Sequence, residues 1–238
     1  LPKKVTSEPY PNSSLVEVIF EIQFPEEPVI ECKRDIFYES VRSEYSQVLV
    51  PQTKTGGVVV LEPYIFERRD KSSGLMLAMN RFSFYCRKYQ GFAEFKKMFL
   101  KILRGFRLAY PKIDKLTRTG FRYVNIIPFT REDGVVPFNK FLKMTIQTPA
   151  SIPSQYENIS LGFISKTDGG SITVRVETML SVNQGGEAIL LDLDCVKERD
   201  LIIQSVGKYL EESHSFLRQL FEDLITDDYR AFLRGDTL

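Results

Sequence analysis

With 238 residues, 43% of them hydrophobic and 26% charged, the chain has the composition of an ordinary folded protein, long enough for one large domain or two of roughly 120 residues, each with a real core. The 32 basic and 31 acidic residues leave a net charge of +1, which excludes any global attraction to nucleic-acid phosphates or anionic lipid. One histidine, three scattered cysteines and the lack of any apolar run near 20 residues exclude a His-rich metal site, a zinc-type Cys/His cluster and a membrane-spanning helix.

LPKKVTSEPYPNSS (1–14) carries a basic pair with no apolar run behind it; it reads as an extended arm, not a leader, and the expectation is a cytoplasmic protein. LVEVIFEIQF (15–24) alternates, with Val16, Val18, Phe20, Ile22 and Phe24 on one face and Glu17, Ile19, Glu21 and Gln23 on the other, as a half-buried strand does. RDIFYESVRSEYSQV (34–48) spaces Phe37, Val41, Tyr45 and Val48 as a helix facing a core, stopped by Pro51. Segments 58–70 and 75–89 predict two to four strands around a Lys71–Gly74 turn, with breaks at Pro63 and Asn80. GFAEFKKMFLKILRGFRLAY (91–110) puts Phe92, Phe95, Phe99, Ile102 and Phe106 on one helical stripe, ended by Pro111.

A similar order then repeats. A long strand covers 115–129 and a short helix opens at Pro137, followed by loop over 145–154. A hairpin runs 157–166 and 171–180 around Asp168-Gly169, and a strand covers 188–196. A long helix is predicted from about Asp200 to Leu224; Thr226 caps a last one, DDYRAFLR, closed by Gly235. Gly56-Gly57, Gly169-Gly170 and Gly185-Gly186 read as turns, since no P-loop, dinucleotide or nucleophile-elbow spacing occurs. Cys32, Cys86 and Cys195 form no C-x-x-C pair and predict reduced, mostly buried thiols.

The fold class expected is α+β: a duplicated strand, short helix, antiparallel strands, long helix unit. The halves, 15–112 and 113–238, would share one curved antiparallel sheet packed on helices. The order is similar to helix-grip and TATA-binding-protein-like repeats, a likeness of topology that licenses no function.

Within GFRYVNIIPF (120–129), alternation turns Arg122 to one face and Asn125 to the other. Arg122 either binds an anionic ligand with its planar fork or pairs with an acid on a neighbouring strand; Asn125 serves backbone groups. Glu17 with Glu21, and Asp192 with Asp194, share strand faces. Together with Arg122 they make a candidate ligand site, open to a cationic or metal-bridged ligand or to acid/base work, against the plainer reading of a solvated sheet face. Phe82, Phe84, Tyr85 and Tyr89, interleaved with Arg81, Arg87 and Lys88, mix aromatic and basic residues as nucleic-acid platforms do, although packing on the long helix explains Phe82 and Phe84 as well. His214 borders an apolar helical stripe and reads as structural.

Three segments, PNSSLVEVIFEIQF (11–24), GFRYVNII (120–127) and HSFLRQLFEDLITDDYR (214–230), resemble a sporadically distributed prokaryotic family of unknown function. Its pattern has an Asn-Ala-Pro-like turn before a Glu-Val-x-Phe-Glu-Ile strand, a central Gly-Leu-Arg-Tyr-Ile-Asn strand and a helix reaching Ile-Thr-Asp. The likeness covers essentially the whole chain, with Ser13-Ser14 in place of Ala-Pro and Phe121 in place of leucine. It supports the extents of the halves and implies no activity.

The expectation is a non-enzymatic module that binds a small ligand or a partner protein, without metal or cofactor and without a membrane. Two alternatives stand. One is a metal-dependent hydrolase or phosphoryl-transfer enzyme using the sheet-face carboxylates, although the E-x-E-x-K strand of triphosphate-tunnel enzymes is absent. The other is a nucleic-acid-binding protein.

Overall fold

The computed structural model of the chain describes residues 9–50, 63–181 and 186–236. The first part runs β1 (Leu15–Gln23), α1 (Val29–Cys32), α2 (Arg34–Val41), β2 (Gln47–Leu49), β3 (Tyr64–Glu67), β4 (Ser73–Ala78), β5 (Arg81–Cys86) and α3 (Phe92–Ala109). The second runs β6 (Lys115–Leu116), β7 (Arg118–Phe129), α4 (Phe138–Phe141), β8 (Ser160–Thr167), β9 (Gly170–Ser181), β10 (Gly186–Lys197), β11 (Leu201–Ile202), α5 (Val206–Leu224) and α6 (Asp227–Arg234).

Nine strands form one curved antiparallel sheet in the order β2-β3-β4-β5-β1-β7-β10-β9-β8. β1 and β7 lie side by side at its centre, Phe20 opposite Phe121. Outward from them one flank meanders through β5, β4 and β3, the other through β10, β9 and β8. Among the described residues two further strands, β6 and β11, make a small separate sheet.

Strand alternation sorts the side chains. Val18, Phe20 and Ile22 of β1, Phe82 and Phe84 of β5, Phe121 of β7 and Leu191 and Leu193 of β10 are buried on one face. The stripes of α3 and α5 cover that face. Phe99 meets Phe20 at 4.9 Å, Phe95 meets Phe84 at 4.9 Å and Phe106 stacks on Phe82 at 4.8 Å. The chain has 18 phenylalanines and no tryptophan, and phenylalanines dominate the largest fully buried side chains; each buried ring contributes about 2 kcal/mol. α2 adds Phe37, within 5.5 Å of Phe82.

Four expectations shift. The helix predicted over 34–48 ends at Val41, and Val48 lies in the edge strand β2, 40% exposed. The strand over 115–129 divides at Thr117, because Lys115 and Leu116 pair with β11 instead. The helix predicted from Asp200 begins at Val206; Leu201 and Ile203 are buried, but in a strand and a 3-10 turn. The arm's residues 9–14 are strapped down: Asn12 N donates to Leu233 O at 3.1 Å and Tyr10 is 9% exposed. The strand expected over 58–62, the Gly56-Gly57 turn, the first residues of the arm and most of the 181–186 turn lie outside the described residues.

Candidate functional site

The five sheet-face residues predicted as a site do come to one side of the sheet, away from the helices. Crossing that face from β3, the sign of charge alternates. Glu67 is followed by Arg87 just beyond β5, then Glu17 and Glu21 on β1, Arg118 and Arg122 on β7, Asp192 and Asp194 on β10, and Arg175 on β9. Arg87 reaches both Glu17 and Glu67 at 3.0 Å, and Arg118 reaches Glu21 at 3.1 Å and Asp194 at 3.5 Å. Arg122 holds Asp192 through two bonds, Nε to Oδ1 at 2.7 Å and Nη2 to Oδ2 at 2.8 Å. Every one of the four predicted carboxylates therefore has an arginine. The hydrogen bond to Asp192 holds the Arg122 pKa above its usual value, while burial pushes Asp194 up against the pull of Arg118 and Arg122. Cross-strand pairs of this kind stabilise a sheet and penalise a register slip. Among the described residues no group of three His, Cys, Asp or Glu side chains gathers where it could hold a metal ion.

The nucleic-acid candidates sit at the flank of the same face. Tyr85 is 5% exposed, its hydroxyl donates to Glu67 at 2.8 Å, and the Arg87 guanidinium lies 4.7 Å over its ring. Lys88 pairs with Asp70 at 3.2 Å, and Arg81 lies opposite Gln23 at the far end of β5. This arrangement offers no open aromatic face for a base.

The opposite face holds a different constellation. The core-facing positions of β7 should be apolar throughout, yet after Phe121 come Tyr123 and Asn125, both buried. Asn125 Nδ2 donates to Leu191 O at 3.3 Å and Ser14 Oγ donates to Asn125 Oδ1 at 3.3 Å, so the asparagine ties the N-terminal strap and β10 to β7. Tyr123 Oη and His214 Nδ1 are joined at 2.5 Å. One turn later on α5, Arg218 pairs with Glu222 at 3.0 Å and lies 4.6 Å from the Tyr10 ring centroid. Glu222 also accepts from Tyr10 Oη at 2.6 Å and from Arg230 Nε at 2.9 Å, which anchors α6 and the strap together.

Between these groups lies a recess lined by Tyr10, Ser13, Ser14, Tyr89, Tyr123, Asn125, His214 and Arg218, with Pro9, Leu15, Phe221 and Leu233 as its apolar wall. Its cavity volume is small, about 40 Å³. Arg218 is the one charged residue in the lining. Burial first, and then the Arg218 charge, bring the His214 pKa down to about 4, so the imidazole is neutral at pH 7. Burial raises the Tyr89 hydroxyl to about 12 and holds the Tyr123 hydroxyl well above the ordinary phenol value; both keep their protons. The recess thus presents neutral hydroxyls, an amide and an imidazole around one cation. That set can donate hydrogen bonds to an anion, while the carboxylate bonded to it, Glu222, is taken up by Arg218, Arg230 and the Tyr10 hydroxyl.

Of these residues, Asn125 and His214 stand out in the sequence, and Tyr89 only as one of the aromatics of the nucleic-acid candidate; Arg218, Tyr123, Tyr10 and Ser14 do not. A signal existed: Tyr123 and Asn125 occupy inward positions of a strand, and His214 and Arg218 stand four apart on one side of a helix. The three segments 11–24, 120–127 and 214–230 converge here, supplying Ser13, Ser14, Tyr123, Asn125, His214 and Arg218. No family model matches the chain, and a search of curated proteins finds no match.

Proposed function

We propose that the protein is a non-enzymatic binding module and that its ligand is a small anion, a carboxylate or phosphate compound, held in the recess between the N-terminal strap, β7 and α5. The observation that carries this reading is the recess lining: polar side chains from three distant segments turned into the helix-covered side of the sheet around the Arg218 guanidinium, which Glu222 holds in place at 3.0 Å. These side chains are hydrogen-bonded to one another, so the polar recess keeps its shape without a ligand, as small-ligand sites that are largely pre-formed do. The charged ladder on the other face is its scaffold. Its carboxylates are paired with arginines, and the Tyr85 ring lies under the Arg87 guanidinium, which supports a binding role at the recess over the hydrolase and nucleic-acid alternatives.

The mirrored strand order about β1 and β7 supports reading the fold as two copies of one unit in a helix-grip-like arrangement. The convergence of the three family-like segments on one recess supports the resemblance to the prokaryotic family. The free thiols of Cys32, Cys86 and Cys195 support a reducing, cytoplasmic setting.

The test is thermal unfolding in the presence of inorganic phosphate, acetate, succinate and citrate. At about tenfold over a millimolar Kd, binding adds about 1.4 kcal/mol and raises Tm by about 3 °C. Arg218→Met should abolish the shift, and Tyr89→Phe, which keeps the ring, should reduce it. If no anion raises Tm, or Arg218→Met leaves the shift intact, the reading fails.

A further inference from the structure

We infer that two copies of this chain join edge to edge through β8, continuing the nine-stranded sheet across a two-fold axis. This rests on the outer strand alone and is independent of the recess.

β8 is the last strand in the sheet order and eight residues long, and among the described residues no strand pairs with its outer edge. Proteins blunt such edges with short strands, prolines, bulges or charges, because unpaired N–H and C=O groups recruit another strand. The opposite edge, β2, is only three residues long. β8, reading SLGFISKT, has no proline, pairs with β9 in unbroken register and carries a single charge, Lys166. It also shows apolar side chains on both faces: Phe163 is 50% exposed and Ile164 is 75% exposed. In a monomer this is an aggregation-prone edge; in a dimer it is an interface.

The sequence of the strand commits the occupant to a second copy. A two-fold axis perpendicular to the sheet pairs β8 with itself antiparallel, and centring it on Phe163 makes every cross-strand pair compatible. Phe163 meets the second copy's Phe163, an aromatic pair on the helix side of the sheet. Leu161 meets Ser165. On the other face Ile164 meets Gly162, where no atom lies within 4 Å of the position a Cβ would take, so the branched side chain has room. Lys166 faces Ser160, and Asp168 faces Asn158; no like charges oppose.

Sedimentation velocity tests this directly. At about 100 µM the chain should sediment at twice its 27.5 kDa mass, and Phe163→Lys and Ile164→Lys should each return it to the single mass with an unchanged far-UV circular dichroism spectrum. Phe163→Cys in a Cys32→Ser background should form an intermolecular disulfide on mild oxidation, because the axis brings the two positions face to face. A monomer at that concentration, a dimer that survives both lysine variants, or a dimer that does not cross-link at position 163 would overturn the inference.

Discussion

Tyr123 on β7 and His214 on α5 share a 2.5 Å hydrogen bond, and the His214 ring stacks on Phe92 of α3 at 3.8 Å between centroids. One imidazole therefore touches the central sheet and both long helices, and it does so uncharged. Its pKa of about 4 lies below the ordinary 6.5. As pH falls through 6.5 the unfolded chain takes up this proton while the folded chain does not. The stabilisation is complete above 6.5 and is lost progressively between 6.5 and about 4. The full span corresponds to about 3 kcal/mol as an upper limit, less after solvent screening, since His214 is not fully buried. His214→Gln, which keeps an acceptor for Tyr123 without titrating, should flatten that part of the stability–pH curve. Parallel curves for the two proteins from pH 7 to 4, by urea unfolding, would contradict this.

Arg122 and Asp192 form an asymmetric pair: the arginine side chain is 41% exposed and the aspartate 6%. Asp192→Asn leaves a cation that water can reach, at a cost of about 1 kcal/mol. Arg122→Gln leaves a nearly dry carboxylate with Arg175, at 3.8 Å, as its remaining cationic partner among the described residues, and should cost about 3 kcal/mol. Equal losses in chemical denaturation, or a larger loss for Asp192→Asn, would show that the pair is not governed by desolvation.

Gly74 on β4 lies under the Tyr85 ring. A Cβ there would come within 2.3 Å of the Tyr85 hydroxyl and 2.4 Å of Cζ. The missing side chain is what lets the ring lie flat and its hydroxyl reach Glu67. Gly74→Ala should cost about 2 kcal/mol, although alanine alone favours a strand over glycine by about 0.5 kcal/mol. In a Tyr85→Ala background the same substitution should become neutral or stabilising. A full penalty in that background would point to a backbone cause instead.

Thr226 caps α6 and ties it to α4: Oγ1 accepts from Tyr229 N at 3.1 Å and donates to Lys140 O at 2.6 Å. Thr226→Ala should lower stability by about 1 to 2 kcal/mol, and Thr226→Ser should retain most of it. Loss of the same amount in the serine variant would assign the effect to the methyl group rather than the hydroxyl.

Local pattern was enough for much of the fold. The Phe95, Phe99 and Phe106 stripe announced α3, the alternation of Val18, Phe20 and Ile22 announced β1, and Thr226 with Gly235 marked both ends of α6. These signals are legible because their period is set by backbone geometry within a few residues. Where two elements competed for one segment, the pattern misled. Val48 continued a helical spacing but was drawn into a strand beside Phe66, and Lys115-Leu116 continued a strand run but paired with β11.

The sequence by itself determined the α+β class, the inward and outward faces of the central strands, and the fact that Arg122 and Asn125 point opposite ways. Only the tertiary structure decided that Arg122 would meet Asp192, a residue 70 positions away, and that Ser14, Tyr123, His214 and Arg218 would share one recess. The physical reason is range. Periodicity reports which side of an element is buried, but it carries no record of which other element lies across the gap. That is set by strand order and helix docking, through the burial of side chains far apart in the chain.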